Sequence, residues 1–349
     1  MKNKLYISDV GSFAVNGRST GHFIPLAQNY KEVLDKHFHV IVAGGPTYKE
    51  AFDGEQLLQL PYNNTGSGWR NKIHILRNCS ILFKAAQNEV ILLQQSSITT
   101  AFIGIFLFYR RKSKLFVIEY SSSSINSRIK KVLYRLAKNK IDGFLCPSES
   151  VGKAFDRPFC VVPDYIYTEK TQSKKLPYSE KKYDFCIIGR LAPEKGAIEV
   201  AKRFANSGVS LLIAGRPQSS ALKEEIEAVC ANVPNIKLHL GFIERKDYET
   251  YLRESRYAIL NYQGEYSVRS SGVVFDTLFN DVPVIGCRCS ALQFIEDNCC
   301  GVLYDNLEDF NPDEVLNQAI HEDFVRNISA YRQSHAIYRE HLIKFLSNI

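Results

Sequence analysis

Short apolar runs alternate with longer amphipathic stretches along this chain, and the alternation runs through twice. In the first half Leu5–Val10, Phe38–Ala43, Val90–Leu93, Leu115–Glu119 and Ile141–Cys146 read as strands, with helices expected at His22–Lys36, Asn71–Gln87 and Ile98–Arg110. A polar stretch rich in Lys, Ser and Thr then runs to Lys182, and the pattern restarts at Tyr183. Strands that alternate with helices predict parallel sheets covered by helices on both faces. Such sheets bind ligands beyond the carboxyl ends of their strands. The 349 residues accommodate two of these halves, at roughly 150 residues per domain.

The richest single segment is Tyr183–Gly196, YDFCIIGRLAPEKG. An apolar strand, Phe185–Ile188, reaches a tight turn at Gly189; Arg190 follows, and Lys195-Gly196 precede a helical run over Ala197–Ala205. Free N–H groups, a helix dipole and two cations together make a site for a multiply charged anion such as a diphosphate. The plain alternative is a solvated basic loop.

A second segment, Glu265–Gly286, has matching chemistry. Arg269, Ser270, Ser271 and Gly272 read as a helix start, with small hydroxyl residues suited to capping and a glycine that lets a ligand approach the backbone. The run Val273–Phe279 is helical in length, Asn280-Asp281 ends it, and Val284-Ile285-Gly286 is a short buried strand. Asp276 lies one turn beyond Gly272 on the same face, where a carboxylate can accept hydrogen bonds from the paired hydroxyls of a ribose. An amphipathic helix with a serine cap is the plain alternative.

Taken together, the two segments resemble the C-terminal domain of GT-B glycosyltransferases, most similar to family 4 of the retaining, sugar-nucleotide-dependent enzymes. The resemblance covers most of residues 183–305 and implies an α/β fold of two Rossmann-like, doubly wound domains facing across a cleft. It also implies that Arg190 and Lys195, with Arg269, Ser270, Ser271 and Gly272, hold the donor diphosphate. Gly189, Gly215, Phe242, Ile243 and Asp276 would then line the nucleoside. The domains expected are 1–164 on the acceptor side, a linker at 165–182, a nucleotide-sugar domain at 183–330 and a helix at 331–349 that packs back on the first domain. The last helix reads as roughly Asp323–Leu346.

One departure from the family pattern stands out. Family 4 enzymes commonly carry two glutamates spaced E-x7-E; here Asp276 replaces the second, and Val268 occupies the position of the first. Glu265 is nearby but out of register, so sugar selection falls to Glu265 or to the backbone of Ser267–Ser271, and the donor sugar stays open. On the acceptor side the resemblance points to the loop after the first strand, with Gly17, Arg18 and His22. Glu119, at the end of its strand, is a candidate to accept a proton from an acceptor hydroxyl, and Asp9 and His22 are further candidates. Offsetting nearby cations is the alternative role for Glu119, and a buried helix start is the alternative for His22.

Composition narrows the setting. The chain is 45% hydrophobic and 23% charged, ordinary for globular domains. Nine cysteines without CxxC spacing or a His at ligand spacing point to a reduced, cytoplasmic protein rather than a zinc site or a disulfide framework. The N-terminus shows no secretory pattern, and the longest apolar stretch, Thr99–Tyr109, falls short of the about 20 residues that cross a bilayer. Net charge is +7, and between Val90 and Lys140 ten basic residues face one acid, Glu119. Ile129, Val132, Leu133 and Leu136 form one helix face and Arg128, Lys131, Arg135 and Lys138 the other. This pattern fits peripheral contact with an anionic membrane through Arg110–Lys140; a solvated helix packed on its own sheet is the alternative. No aromatic-interleaved basic motif supports a nucleic-acid partner.

These readings converge on a transferase moving a sugar from a nucleotide diphosphate donor to a glycan or lipid-linked saccharide of surface-polysaccharide type. No Asp-x-Asp occurs, and neither a metal nor a cofactor is needed if two cations and a helix dipole carry the charge. Retention of configuration is implied by the resemblance alone. A sugar-nucleotide epimerase of the same fold and a non-catalytic GT-B subunit are the competing readings.

Overall fold

The computed structural model describes residues 2–15, 17–19, 23–66, 68–94, 99–168, 175–205, 207–267 and 271–348. The chain divides into two compact units, residues 1–168 with 335–349, and residues 169–334.

The first unit runs β1 (Lys4–Ser8), a hairpin of β2 (Ala14–Val15) and β3 (Arg18–Ser19), α1 (Phe23–Leu34), β4 (His39–Gly44), β5 (Leu57–Gln59), α2 (Trp69–Ala85) and β6 (Val90–Leu93). It continues through α3 (Thr99–Phe108), β7 (Lys114–Ile118), α4 (Arg128–Lys138), β8 (Gly143–Cys146), α5 (Glu149–Lys153) and β9 (Phe159–Val161). Seven parallel strands lie in the order β5-β4-β1-β6-β7-β8-β9. Strands buried on both faces carry unbroken apolar runs, and all four residues of β6 are buried. Side-chain alternation sends Leu5, Ile7 and Leu92 to a core with Leu26 and Tyr30 of α1, and Tyr6, Ile91 and Leu93 to a core with Cys79, Phe102 and Tyr134 of α2, α3 and α4.

The second unit repeats the plan with β10 (Tyr183–Ile188), α6 (Ala197–Phe204), β11 (Leu211–Gly215), α7 (Ser220–Cys230), β12 (Ile236–Leu240) and α8 (Arg245–Arg253). There follow β13 (Ser255–Leu260), α9 (Gly272–Phe279), β14 (Val284–Cys287), α10 (Gln293–Asp297), β15 (Gly301–Tyr304) and α11 (Gln318–Ser334). Six parallel strands lie in the order β12-β11-β10-β13-β14-β15. Asp281, with φ +57°, ends the α9 turn, and its carboxylate pairs with Arg332 of α11 at 2.6 Å. Arg332 also donates to the last carbonyls of α9, Leu278 O at 2.6 Å and Phe279 O at 3.2 Å.

In both sheets the direction of winding reverses beside the first strand, between β1 and β6 and between β10 and β13. These are the switch points at which an open parallel sheet leaves a crevice.

One expectation needs correction. The single closing helix is two, α11 and α12 (Ala336–Asn348), broken at His335, whose Nδ1 accepts the Tyr167 N–H at 3.3 Å. α12 belongs to the first unit, where Leu342 and Leu346 are fully buried. The stretch expected as a linker, 165–182, is anchored at its ends: Ile166 and Tyr167 are fully buried in the first unit, and Lys181 donates to Arg253 O and Ser255 O in the second. Leu133 of the α4 apolar stripe packs on the core, but the rest of that stripe is exposed. The helix rests on Tyr134 and Ala137, which leaves Ile129 74%, Val132 53% and Leu136 47% exposed.

Candidate active site

The second sheet's switch point gathers the residues expected to hold a diphosphate. β10 ends at Gly189, whose φ of +100° turns the chain sharply. A Cβ there would lie 3.1 Å from Val273 Cγ2 in the first turn of α9, and a Cβ on Gly215 would fall 1.7 Å from Gly189 O. The loop after β10, the end of β11 and the start of α9 therefore pack against one another with no room for side chains at the two glycines. The loop continues through a 3-10 turn, Pro193–Lys195, to Gly196, with φ +64° at the start of α6. A Cβ on Gly196 would meet Asn261 Nδ2 at 2.3 Å, and Gln263 N–H bonds Glu194 O at 2.7 Å. These contacts bind the loop to the segment that follows β13.

That segment supplies residues missed in the sequence. Lys195, only 7% exposed, has Nζ 5.8 Å from the ring centroid of Tyr262 and 5.1 Å from that of Tyr266. The Tyr262 hydroxyl donates to Ser271 Oγ at 2.7 Å, so the cap residue of α9 is tied to the ring that faces the ammonium. Gly272 is exposed, and a Cβ placed on it would meet nothing within 4 Å, so the first turn of α9 is open. Arg190 is exposed and makes no hydrogen bond or ion pair among the described residues. Arg269 and Ser270 lie outside the described residues, as does the side chain of Glu265. Tyr262 was findable in principle, since it lies two residues beyond the apolar strand β13 at a switch point.

On the nucleoside side, Phe242 is 64% exposed and Ile243 is half-buried against the α8 core. Asp276 is half-buried, and its Oδ1 accepts from Arg245 Nη2 at 2.9 Å. Burial pushes the Asp276 carboxyl above its usual range, while the Arg245 charge and the nearby Tyr248 hydroxyl pull it back.

In the first unit, Asp9 follows β1 and is fully buried. Its Oδ1 accepts the N–H groups of Gly11 at 3.0 Å and Ser12 at 2.9 Å, and Oδ2 accepts the Tyr48 hydroxyl at 2.9 Å. Burial pushes this carboxyl up, and those three donors oppose the shift. Asp9 thus builds the turn after β1. Glu119 follows β7, is 1% exposed, and accepts from Ser124 Oγ at 3.1 Å. Two residues missed in the sequence lie at this switch point: Ser8 and Gln94 are fully buried, and among the described residues neither the Ser8 hydroxyl nor the Gln94 side-chain amide has a hydrogen-bond partner. Gly17 turns the β2–β3 hairpin with φ +75°. The Arg18 side chain and His22 lie outside the described residues.

All nine cysteines are free thiols. Among the described residues no group of His, Cys, Asp or Glu is arranged to hold a metal ion, and no helix is long and apolar enough to cross a membrane.

No protein-family model matches the chain, and no curated protein sequence matches it. Solved structures do. AviGT4, a glycosyltransferase involved in avilamycin A biosynthesis, superposes with a TM-score of 0.65 at 15% identity over 99% of both chains. A UDP-forming α,α-trehalose-phosphate synthase from Burkholderia xenovorans gives 0.69 at 10% identity, over 100% of this chain and 99% of its own. HepE from Anabaena, solved in complex with UDP and glucose, gives 0.67 at 12% identity, over 99% of this chain and 100% of its own. At such identities the likeness is one of architecture, and these neighbours include both AviGT4 and a trehalose-phosphate synthase. The chain has the GT-B fold of glycosyltransferases, built from two Rossmann-like α/β units.

Proposed function

We propose that this chain is a glycosyltransferase that moves a sugar from a nucleoside diphosphate donor, of the UDP class, to a glycan or lipid-linked saccharide acceptor. The observation that carries the reading is the convergence of the Gly189–Gly196 loop with the open start of α9, joined through Tyr262. In the reaction the bond between the anomeric carbon and the donor phosphate breaks, and negative charge grows on the departing diphosphate. Fixed positive groups beside that charge are the largest contribution a protein can make to such a step. Arg190, Lys195 and the first amides of α9 supply them here, which supports a metal-independent transfer. Retention of configuration follows from the family 4 resemblance.

Glu119, Gln94 and Ser8 at the carboxyl edge of the first sheet support an acceptor site there, with buried polar groups suited to sugar hydroxyls. The acceptor class rests on α4. Its exposed Ile129, Val132 and Leu136 flank exposed Arg128, Lys131 and Arg135, the arrangement of a helix lying on an anionic lipid surface. An epimerase of the same fold would have no use for such a face. Peripheral attachment to the cytoplasmic leaflet is the setting we propose.

Calorimetric titration with UDP, GDP and ADP tests the core of the proposal. Binding of one of them at micromolar to millimolar concentration is expected, and no heat from any at millimolar concentration overturns it.

A further inference from the structure

The partner of Asp276 is Arg245, the first residue of α8, 31 positions earlier in the chain. The guanidinium is held on several sides. Nη2 donates to Asp276 Oδ1 at 2.9 Å, Nε donates to Glu249 Oε1 at 2.6 Å, and the guanidinium carbon sits 5.4 Å from the centre of the Tyr248 ring. Tyr248 in turn borders the glycine turn after β10, its ring edge 3.9 Å from where a Cβ on Gly189 would stand. The Tyr248 hydroxyl is buried beside the Asp276 carboxylate and favours its ionised form. With Arg245 on Oδ1 and the Tyr248 hydroxyl nearby, the Asp276 carboxylate, with about four lone-pair sites, keeps acceptor capacity for a ligand.

The charged and titratable groups that act on Asp276 all come from α8: Arg245 and Tyr248 favour its ionised form, and Glu249 opposes it. Burial opposes it as well. An ionised carboxylate accepts through both oxygens, whereas a protonated one offers a poorer acceptor and a donor. A vicinal diol presents two O–H donors, so it is read best by the ionised form with one oxygen left open.

We propose that Arg245 is the positioning residue of the nucleoside site. It holds the Asp276 carboxylate turned towards the ribose hydroxyls, and it thereby sets the preference for a ribonucleotide over its 2′-deoxy counterpart. This rests on the nucleotide-donor reading above. Arg245 need not touch the ligand; it acts through the carboxylate it orients.

The test compares UDP with 2′-deoxy-UDP by calorimetry at pH 7.5 and 5.5, for the wild type, Asp276→Asn, Arg245→Gln and Arg245→Lys. The wild type prefers UDP by about tenfold, the worth of one hydrogen bond to a charged group. Asp276→Asn removes the preference. Arg245→Gln also collapses it while changing 2′-deoxy-UDP affinity less than about twofold, and its UDP binding weakens further at pH 5.5, where the unassisted carboxyl takes up a proton. Arg245→Lys restores most of the preference. If Asp276→Asn leaves the preference intact, the nucleoside site itself is misplaced. If Asp276→Asn removes the preference but Arg245→Gln keeps it, or weakens both nucleotides equally, the role given to Arg245 is wrong while the site stands.

Discussion

Lys195 and Arg190 are expected to serve the same diphosphate from opposite starting conditions, and their alanine variants separate the two. A charged hydrogen bond of this kind contributes about 1.5–3 kcal/mol. Lys195 begins with its ammonium already confined between Tyr262 and Tyr266, so little side-chain freedom remains to be lost on binding. Arg190 begins exposed and unpartnered, and ordering a long side chain costs up to about 2 kcal/mol. Lys195→Ala should therefore sit near the upper limit, about 3 kcal/mol or roughly 150-fold in Kd, and Arg190→Ala near the lower, about 1.5 kcal/mol or roughly tenfold. Stability should move in parallel. Loss of Lys195 removes a cation–π contact with two rings, about 1–2 kcal/mol, whereas Arg190→Ala should stay within about 0.5 kcal/mol of the wild type. Calorimetry with UDP gives the first pair of numbers and urea unfolding of the free protein gives the second. A Kd within twofold of wild type for both variants would refute the diphosphate site. Equal affinity losses would refute the argument from pre-ordering.

Reversing the charge of α4 with Lys131→Glu and Arg135→Glu should reduce co-flotation with vesicles containing anionic lipid. Ile129→Ser with Val132→Ser should do the same without altering the charge, and retention of both variants on the vesicles would leave α4 a solvated helix. Acid should weaken both units through one histidine each. Burial lowers His321 of the second unit and His335 of the first from 6.5 to about 4. A folded value below the unfolded one means that this stability is complete above pH 6.5 and is lost as pH falls towards 4, by about 2 kcal/mol per histidine at pH 5. Urea midpoints at pH 7.5 and pH 5 measure the loss, His321→Asn and His335→Asn should each flatten it, and equal midpoints for the wild type at the two pH values would contradict it.

The parts of this molecule that could be read from the sequence are those whose cause is local. Parallel strands announce themselves as apolar runs, and Gly189, Gly196 and Gly215 mark places where the backbone must turn left-handed or pass another chain segment closely. The cations of the Gly189–Gly196 loop were visible for the same reason. Arg245 was not, because nothing near it in sequence indicates a carboxylate 31 residues away. Tyr262 and Tyr266 read as ordinary aromatic residues until the fold brings Lys195 over them. Periodicity found the apolar stripe of α4 but could not say which way the helix is rolled; Tyr134 and Ala137, outside that stripe, face the core. The break at His335 carries no Pro or Gly and arises from a tertiary contact with the Tyr167 backbone.

The first unit is completed by residues translated after the whole of the second. The Phe345 ring lies 5.4 Å from that of Phe116 of β7, inclined to it by 59°, and covers Gly143, while Leu342 and Leu346 fill the core beneath β1 and β6. A ribosome making this chain therefore releases the second unit's residues while the first still lacks one wall. The early-made half stays open to chaperones, and to premature association, until α12 leaves the exit tunnel. Loss of the α12 residues would damage the unit built mainly from residues 1–168.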